Sequence, residues 1–366
     1  MVVLYTSKVE FARKRQGGYV VASLSFKENA LLAYQHKEPE YLPIPGDFDI
    51  CAPRGMNFIN ESICIEGTAN DWFGQSWTWE STVGAPNPTP GVHLLDDITN
   101  WKEVIKCPDL SKLDWEGRAA QDTANWDRDR KLSRVILGYG PWERLFTTME
   151  FSECLMSLVA EPEACYEFFG AIADHKIRLH DYVIKHYKPD ILVMHDDYGH
   201  GNGMFMSPET WRELLKPHLK RIIDAVTSKG VIYEHHSCGY FAPIAGEIAD
   251  LGASATNGMQ VCNNPKELKK EIGHKLCFVG GFDTVMMDFP ATTEGEIRSS
   301  IRQTIDDLAP GGSWIANCGL RTPERNKIAI DEIITYGSTK YTSPRPDLHA
   351  ERGSGLEGIF SIKVEK

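Results

Sequence analysis

Residues 207–239 read SPETWRELLKPHLKRIIDAVTSKGVIYEHHSCG, a helix pattern running directly into a strand pattern. Ser207 is a natural N-cap, Pro208 suits the first helical position, Glu209 lies in the opening turn, and Gly230 marks the end. VIYEHHSCG (231–239) then has the short, β-branched character of a buried strand. Side chains alternate along a strand with a period of two, so Glu234, His236 and Cys238 share one side while His235 and Ser237 face the other.

The same alternation extends outward. From about residue 133 the apolar runs RVILGYG (134–140), DILVMHDD (190–197), ASATNGM (253–259), KLCFVGGFD (275–283) and SWIANCG (313–319) are separated by amphipathic helix patterns, notably PEACYEFFGAIADHKIRLHDYVIKHY (162–187). Strand–helix alternation implies a parallel sheet. Upstream, YLPIPG (41–46) and ESICIEGT (61–68) add two strands and bring the count to eight, which suits a closed (β/α)8 TIM barrel of the α/β class. The open doubly wound rival would carry G-x-G-x-x-G after its first strand, and this chain lacks it. Residues 69–130 are expected to be an aromatic-rich insertion after the second strand, containing NDWFGQSWTWE and GAPNPTPGV. Residues 1–336 are thus expected to form one barrel domain and 337–366 a C-terminal tail.

Functional groups of such barrels lie at the carboxyl ends of the strands. Here the fourth strand ends in His195, Asp196 and Asp197, the fifth in Glu234, His236 and Cys238, the seventh in Asp283, and the eighth in Asn317 and Cys318. His236, Cys238 and Cys318 make a good zinc set, with bonds of ~2.0–2.1 Å to nitrogen and ~2.3 Å to sulfur and one position left for a reactant. Free cysteines are also commonly buried as small hydrophobes, and a strand-end histidine can simply be hydrogen-bonded. By parity His195 and Asp197 share a face and Asp196 opposes them. These three are candidates for substrate contact or catalysis, or for capping the next helix. Glu234 is a candidate fourth ligand, or a carboxylate fixing His236. Asp283 is a candidate catalytic group. Trp72, Trp77 and Trp79 either form a lid over an aromatic substrate or pack their own loop. Cys262 and Cys277 are most simply core or loop thiols.

Composition narrows the classes. The 366-residue chain is 42% hydrophobic and carries a formal net charge of -12 with acids and bases interspersed, which argues against nucleic acid or an anionic membrane surface as partner. No apolar segment approaches the length of a membrane span. The first residues place an apolar run ahead of the basic ones, the reverse of a secretory signal. Nine scattered cysteines do not read as a disulfide framework. A cytoplasmic enzyme is expected.

HSCG (236–239), GGFDT (280–284), and the Cys318 strand followed by RTPERN (321–326) resemble the uroporphyrinogen decarboxylase superfamily, and within it the corrinoid methyltransferase branch. That branch comprises the methylcobamide:coenzyme M methyltransferases and the methyltransferase I components of O-demethylases. KENALLAYQHKEPEYLPI (27–44) and MSPETWRELLKPHLKRII (206–223) are similar to the opening segment and to the helix before the ligand strand. The resemblance implies zinc on His236, Cys238 and Cys318, and methyl transfer to or from cobalt of a separate corrinoid protein. The donor implied is a small methylated molecule, by the aromatic insertion an aryl methyl ether. A coenzyme M-type thiol acceptor is the alternative, and a homo-oligomer is compatible with either. A decarboxylase acting on a tetrapyrrole would need an arginine-lined cavity, for which Arg144 and Arg321 are the candidates. RQGGY (15–19) only superficially matches the decarboxylase motif, because it precedes the opening helix and lacks the second arginine.

Overall fold

Among the described residues, seven parallel strands follow one another around the molecule: β1 (Phe48–Cys51), β2 (Leu132–Leu137), β3 (Ile191–His195), β4 (Ile232–His236), β5 (Ala255–Met259), β6 (Cys277–Gly280) and β7 (Trp314–Ile315). Each strand pairs with its sequence neighbours, so the sheet order is the chain order. The computed structural model describes residues 23–51, 59, 61, 66–82, 85–341, 343 and 345, and the backbone at 15–16 and 19–20. The curled sheet is a (β/α) barrel of the TIM type, with helices alternating between its strands.

Two expected strands differ. YLPIPG (41–46) is not a strand. Pro43 and Pro45 have no N–H to give to a ladder, and the chain makes a 3₁₀ turn at Pro45–Asp47 before β1. The Pro43 carbonyl still accepts from the Ala316 amide (3.0 Å), so the segment leading into β1 also lies against the far edge of the sheet beyond β7. This contact bridges the two ends of the curl. Of the expected strand at 61–68, residues 62–65 lie outside the described residues, as do the side chains of 15–19.

Period-two alternation sets what fills the barrel. Ile191 and Val193 point inward with Leu132, Ala255, Cys277, Val279 and Ile315. Leu192, Met194, Tyr233 and Phe278 point outward into the layer beneath the helices. Helix α1 (Phe26–Tyr34), opened by a Ser25–Glu28 capping box, contributes Ala30, Ala33 and Tyr34 to the interior cluster. The expected long helix is observed as α3 (Pro162–Tyr187), preceded by α2 (Pro141–Thr148). The expected helix at 207–230 is two helices, α4 (Pro208–Leu214) and α5 (Lys216–Thr227). Pro217 removes an N–H and crowds the preceding turn, which breaks the run there.

The insertion between β1 and β2 contains a three-stranded antiparallel sheet, Thr68–Asn70, Ser76–Glu80 and Ala85–Pro88. In the expected C-terminal tail, Arg345 is buried and ion-paired with Asp47 (2.6 Å), with its guanidinium also donating to the Leu42 carbonyl. The tail is therefore anchored to the barrel at that point; residues 346–366 lie outside the described residues. Among the described residues no helix is long and apolar enough to cross a membrane.

One core residue predicts a pH dependence. His180 on α3 is fully buried, and neither ring nitrogen meets a partner. Burial, reinforced by the Lys176 charge, pushes it down to about 3. The unfolded chain takes up a proton near pH ~6.5 that the folded state refuses. Stability from this residue is therefore complete above that pH and falls as pH drops toward 3, by up to about 1.4 kcal/mol per pH unit. The expected result is that His180→Leu flattens the acid side of the urea-stability profile and leaves its slope at pH 7 to 8 unchanged.

Candidate metal centre

The register of β3 and β4 builds the site. His236 pairs with His195, Glu234 with Val193, and Ile232 with Ile191. All six side chains are on the inward parity, so the two histidines form the last inward layer before the strands end. Their imidazoles stack with centroids 4.0 Å apart and planes 16° from parallel. The outward residue His235 stacks instead on Tyr198, 5.3 Å away and fully buried.

Each imidazole is held by its Nδ1. Glu143, from α2, lies 2.7 Å from His195 Nδ1, and Asn257 Oδ1, from β5, lies 3.2 Å from His236 Nδ1. This leaves both Nε2 atoms directed toward Asp197, whose Oδ1 is 3.6 Å from that of His236 and 3.9 Å from that of His195. The same Oδ1 accepts the Cys238 backbone N–H at 2.6 Å, and Cys238 Sγ is 3.3 Å from His236 Nε2. Ligand atoms of His195, Asp197 and His236 all lie within 4.8 Å of one another.

The two loops carrying these groups are locked together. Gly239 has φ of +70°, and a Cβ there would fall 2.1 Å from the Gly199 carbonyl oxygen; a Cβ on Gly199 would fall 2.2 Å from that of Tyr240. Tyr240 N–H donates to the His200 carbonyl at 3.0 Å across the same crossing. Only glycine permits so close a backbone approach.

Electrostatics sort the donors. Burial opposes charge on His195, but Glu143 and Asp197 outweigh it and lift the imidazole to about 9. Burial and the neighbouring His195 push His236 down to about 3. Burial also works against the Asp197 carboxylate, yet His195 and His236 hold it below its usual range. The Cys238 thiol is pushed up, first by burial and then by the Asp197 charge. Two imidazole nitrogens, a carboxylate and a thiol are the donor types that zinc takes, and second-partner hydrogen bonds on both Nδ1 atoms are characteristic of histidine ligands. A divalent cation fits here, and its charge would draw the proton from Cys238. Asn257→Leu is expected to weaken zinc binding about 10–100-fold while leaving the fold intact, as measured by competitive chelator titration.

Other candidates lie elsewhere. Glu234 is fully buried one layer deeper, where it pairs with Arg134 and accepts the Tyr34 hydroxyl at 2.6 Å. It does not brace His236; Asn257 does. Asp196 takes the opposite parity and is buried, accepting from Glu143 N–H (2.9 Å) and the Tyr198 hydroxyl (3.0 Å). It caps α2 and positions Glu143, so it faces away from the cavity. Asp283 caps the short helix Thr284–Asp288, accepting from Met286 N–H at 3.0 Å. Trp72 stands edge-on to Trp115, 6.4 Å away. The tryptophan beside the centre is Trp77, stacked on Tyr139 (5.2 Å), which in turn meets His195 edge-on (5.8 Å). Cys318 is buried and belongs to the large apolar cluster of the core, and burial followed by the Asp288 charge pushes its thiol up to about 12.

Beneath Trp77 lies a fully buried ionic network. Arg144 binds both Glu61 and Asp71, the latter at 2.6 Å. Glu61 also meets Lys176 (2.8 Å) and His175 (2.9 Å), and Asp71 accepts the Trp77 indole N–H at 3.0 Å. Residues not foreseen from sequence are thus Glu143, Asn257, Tyr139 and, Arg144 apart, the charged members of this network. Only the strand parity of Asn257, in ASATNGM, carried a signal for any of them.

The chain is 29% identical over 130 residues to the methylcobamide:CoM methyltransferase MtaA of Methanosarcina barkeri, and to the same protein of its strain Fusaro. The match covers 34% of this chain and 36% of those proteins, so the chain spans about a third of the length of the curated relatives it matches. A methyltransferase from Methanosarcina mazei has the same fold, with a TM-score of 0.63 and 14% identity over 85% of this chain and 98% of that one. The uroporphyrinogen decarboxylase (URO-D) family model matches residues 133–329, more than half of the chain and the whole run from the β2 strand past Cys318; this protein belongs to that family.

Proposed function

We propose that the protein is a zinc-dependent methyltransferase that moves a methyl group from a small methylated substrate, an aryl methyl ether, to the cobalt of a separate corrinoid protein. The observation that carries this reading is the convergence of two anchored imidazoles, a carboxylate and a thiol at the mouth of the barrel. Zinc held by His236 and Cys238 would supply Lewis acidity toward the ether oxygen. The protein's own groups do the rest. Glu143 and Asn257 fix the two rings, Asp197 holds Cys238 through its backbone N–H, and Tyr139, backed by the buried Trp77, stands edge-on to His195 as aromatic surface beside the centre. The mouth lies at the strand ends, where a protein-borne corrinoid can approach.

Two other readings are weighed by particular observations. Similarity to proteins named methylcobamide:CoM methyltransferase supports transfer from a methylated corrinoid to a thiol. Against tetrapyrrole decarboxylation, Arg144 is committed to Glu61 and Asp71, Arg134 to Glu234, and Arg321 is exposed, so none of the three offers an interior guanidinium to a substrate carboxylate.

The test is to mix the zinc-loaded full chain with a cobalt(I) corrinoid protein and a panel of methoxylated aromatics, following methyl-cobalt formation by absorbance. Methylation from aryl ethers alone supports the proposal. Activity seen only from methyl-cobalt to a thiol replaces it with the thiol reading, and no transfer in either direction removes both.

A further inference from the structure

Resting on that reading of the site, we propose that the Tyr139 hydroxyl donates a hydrogen bond to the aryl oxygen that departs as the methyl group is transferred. The residue is then a catalytic donor to the leaving group, beyond the aromatic surface its ring offers.

Tyr139 stands between Gly138 and Gly140, just past the carboxyl end of β2, and its backbone is fixed on both sides. The Gly138 carbonyl accepts from the buried Lys176 ammonium at 2.9 Å, and the Gly140 N–H donates to the His195 carbonyl at 2.6 Å. A Cβ on Gly140 would fall 2.3 Å from Asp196 Cγ, so this backbone lies directly against the segment that carries His195 and Asp197. The ring is fixed as well. Trp77, pinned by Asp71, stacks on it at 5.2 Å, and His195 meets it at 5.8 Å with planes 70° apart.

The polar end is different. Among the described residues the Tyr139 hydroxyl makes no hydrogen bond, although a phenol in such surroundings ordinarily finds a partner. Other tyrosines of the chain do: Tyr34 donates to Glu234, Tyr198 to Asp196 and Tyr187 to Asp122. Burial and then the Glu143 charge push the Tyr139 pKa up, so its hydroxyl keeps the proton and can donate. Asp197 is a further carboxylate acting on that hydroxyl, which sets it beside the cluster of His195, Asp197 and His236.

An ordered donor with no partner suits an oxygen that gains charge during reaction. In the step, the electron pair of cobalt(I) forms the cobalt–carbon bond as the methyl–oxygen bond breaks. The bonding pair stays on the aryl oxygen, and the proton remains on Tyr139 while it bonds to that oxygen. Such a donor matters most for weakly acidic phenols, whose departing oxygen is the most basic.

The test compares wild type with Tyr139→Phe over a series of para-substituted anisoles, using the zinc-loaded full chain and a cobalt(I) corrinoid protein. The substitution removes one oxygen and retains the ring. The expected result is a loss of about 10²-fold or more for ethers of weakly acidic phenols, shrinking as the phenol becomes more acidic. The plot of log rate against phenol pKa is therefore steeper in the variant. Independently of turnover and metal, calorimetry should show the product phenol binding the metal-free variant about 2–10-fold more weakly than the metal-free wild type. Thermal unfolding verifies that both proteins are folded. An unchanged rate, an equal loss across the series with an unchanged slope, or undiminished phenol binding overturns the proposal and leaves methyl transfer from aryl ethers standing. A wild type that transfers no methyl from any ether overturns the functional reading, and this proposal with it.

Discussion

Cys238→Ala is expected to lower corrinoid-dependent demethylation by at least about 10³-fold, since Lewis-acid stabilisation by a bound ion is worth several kcal/mol and each 1.36 kcal/mol is tenfold in rate. Its sulfur is 3.3 Å from the Nε2 of His236, and its backbone N–H holds Asp197. Alanine retains the N–H and therefore the Asp197 contact, so the loss isolates the sulfur. Metal content should fall in parallel. A control at Cys107, half-buried in the insertion, should leave both rate and metal unchanged. Full activity of Cys238→Ala without bound metal would remove zinc from the mechanism.

Arg144→Met should be the most destabilising single change near the site, by about 3–5 kcal/mol, because breaking a buried pair strands uncompensated charge. Arg144 is fully buried between Glu61 and Asp71 and lies over the Phe73 ring, with its guanidinium carbon 4.3 Å from the centroid. Glu61 retains Lys176 and His175 after the change, whereas among the described residues Asp71 keeps donors from its own segment alone, among them Trp77. The substitution therefore also loosens the hairpin that carries Trp77. The measurement is urea unfolding together with substrate KM. A drop in stability without a rise in KM would separate the network from substrate placement.

Much of this molecule is legible in strand parity. The opposition of Asp196 to His195 and Asp197, and of His235 to His236, follows from alternation and is observed in the structure. The 162–187 helix is likewise read from its periodicity. What escapes is set by long-range register. Asn257 reaches His236 because β4 and β5 pair His236 with Asn257, and no local pattern reports which residues of two strands lie at one level. Glu143 sits in the first turn of α2, where a glutamate looks like ordinary helix-start chemistry. The choice of Trp77 over Trp72 depends on how the hairpin folds back onto Tyr139. Pro43 and Pro45 did carry a local signal, since proline on that segment argues against a strand.

The glycine crossing between the loops after β3 and β4 bears on how an ion of the proposed kind would be captured. Because Gly199 and Gly239 touch backbone to backbone, neither loop can swing aside without dragging its neighbour. Ordering of the donors is thus complete before any cation arrives, so capture should proceed with little further loss of conformational freedom and release should be slow. A larger residue at either crossing point would split this single rigid clasp into two independent arms.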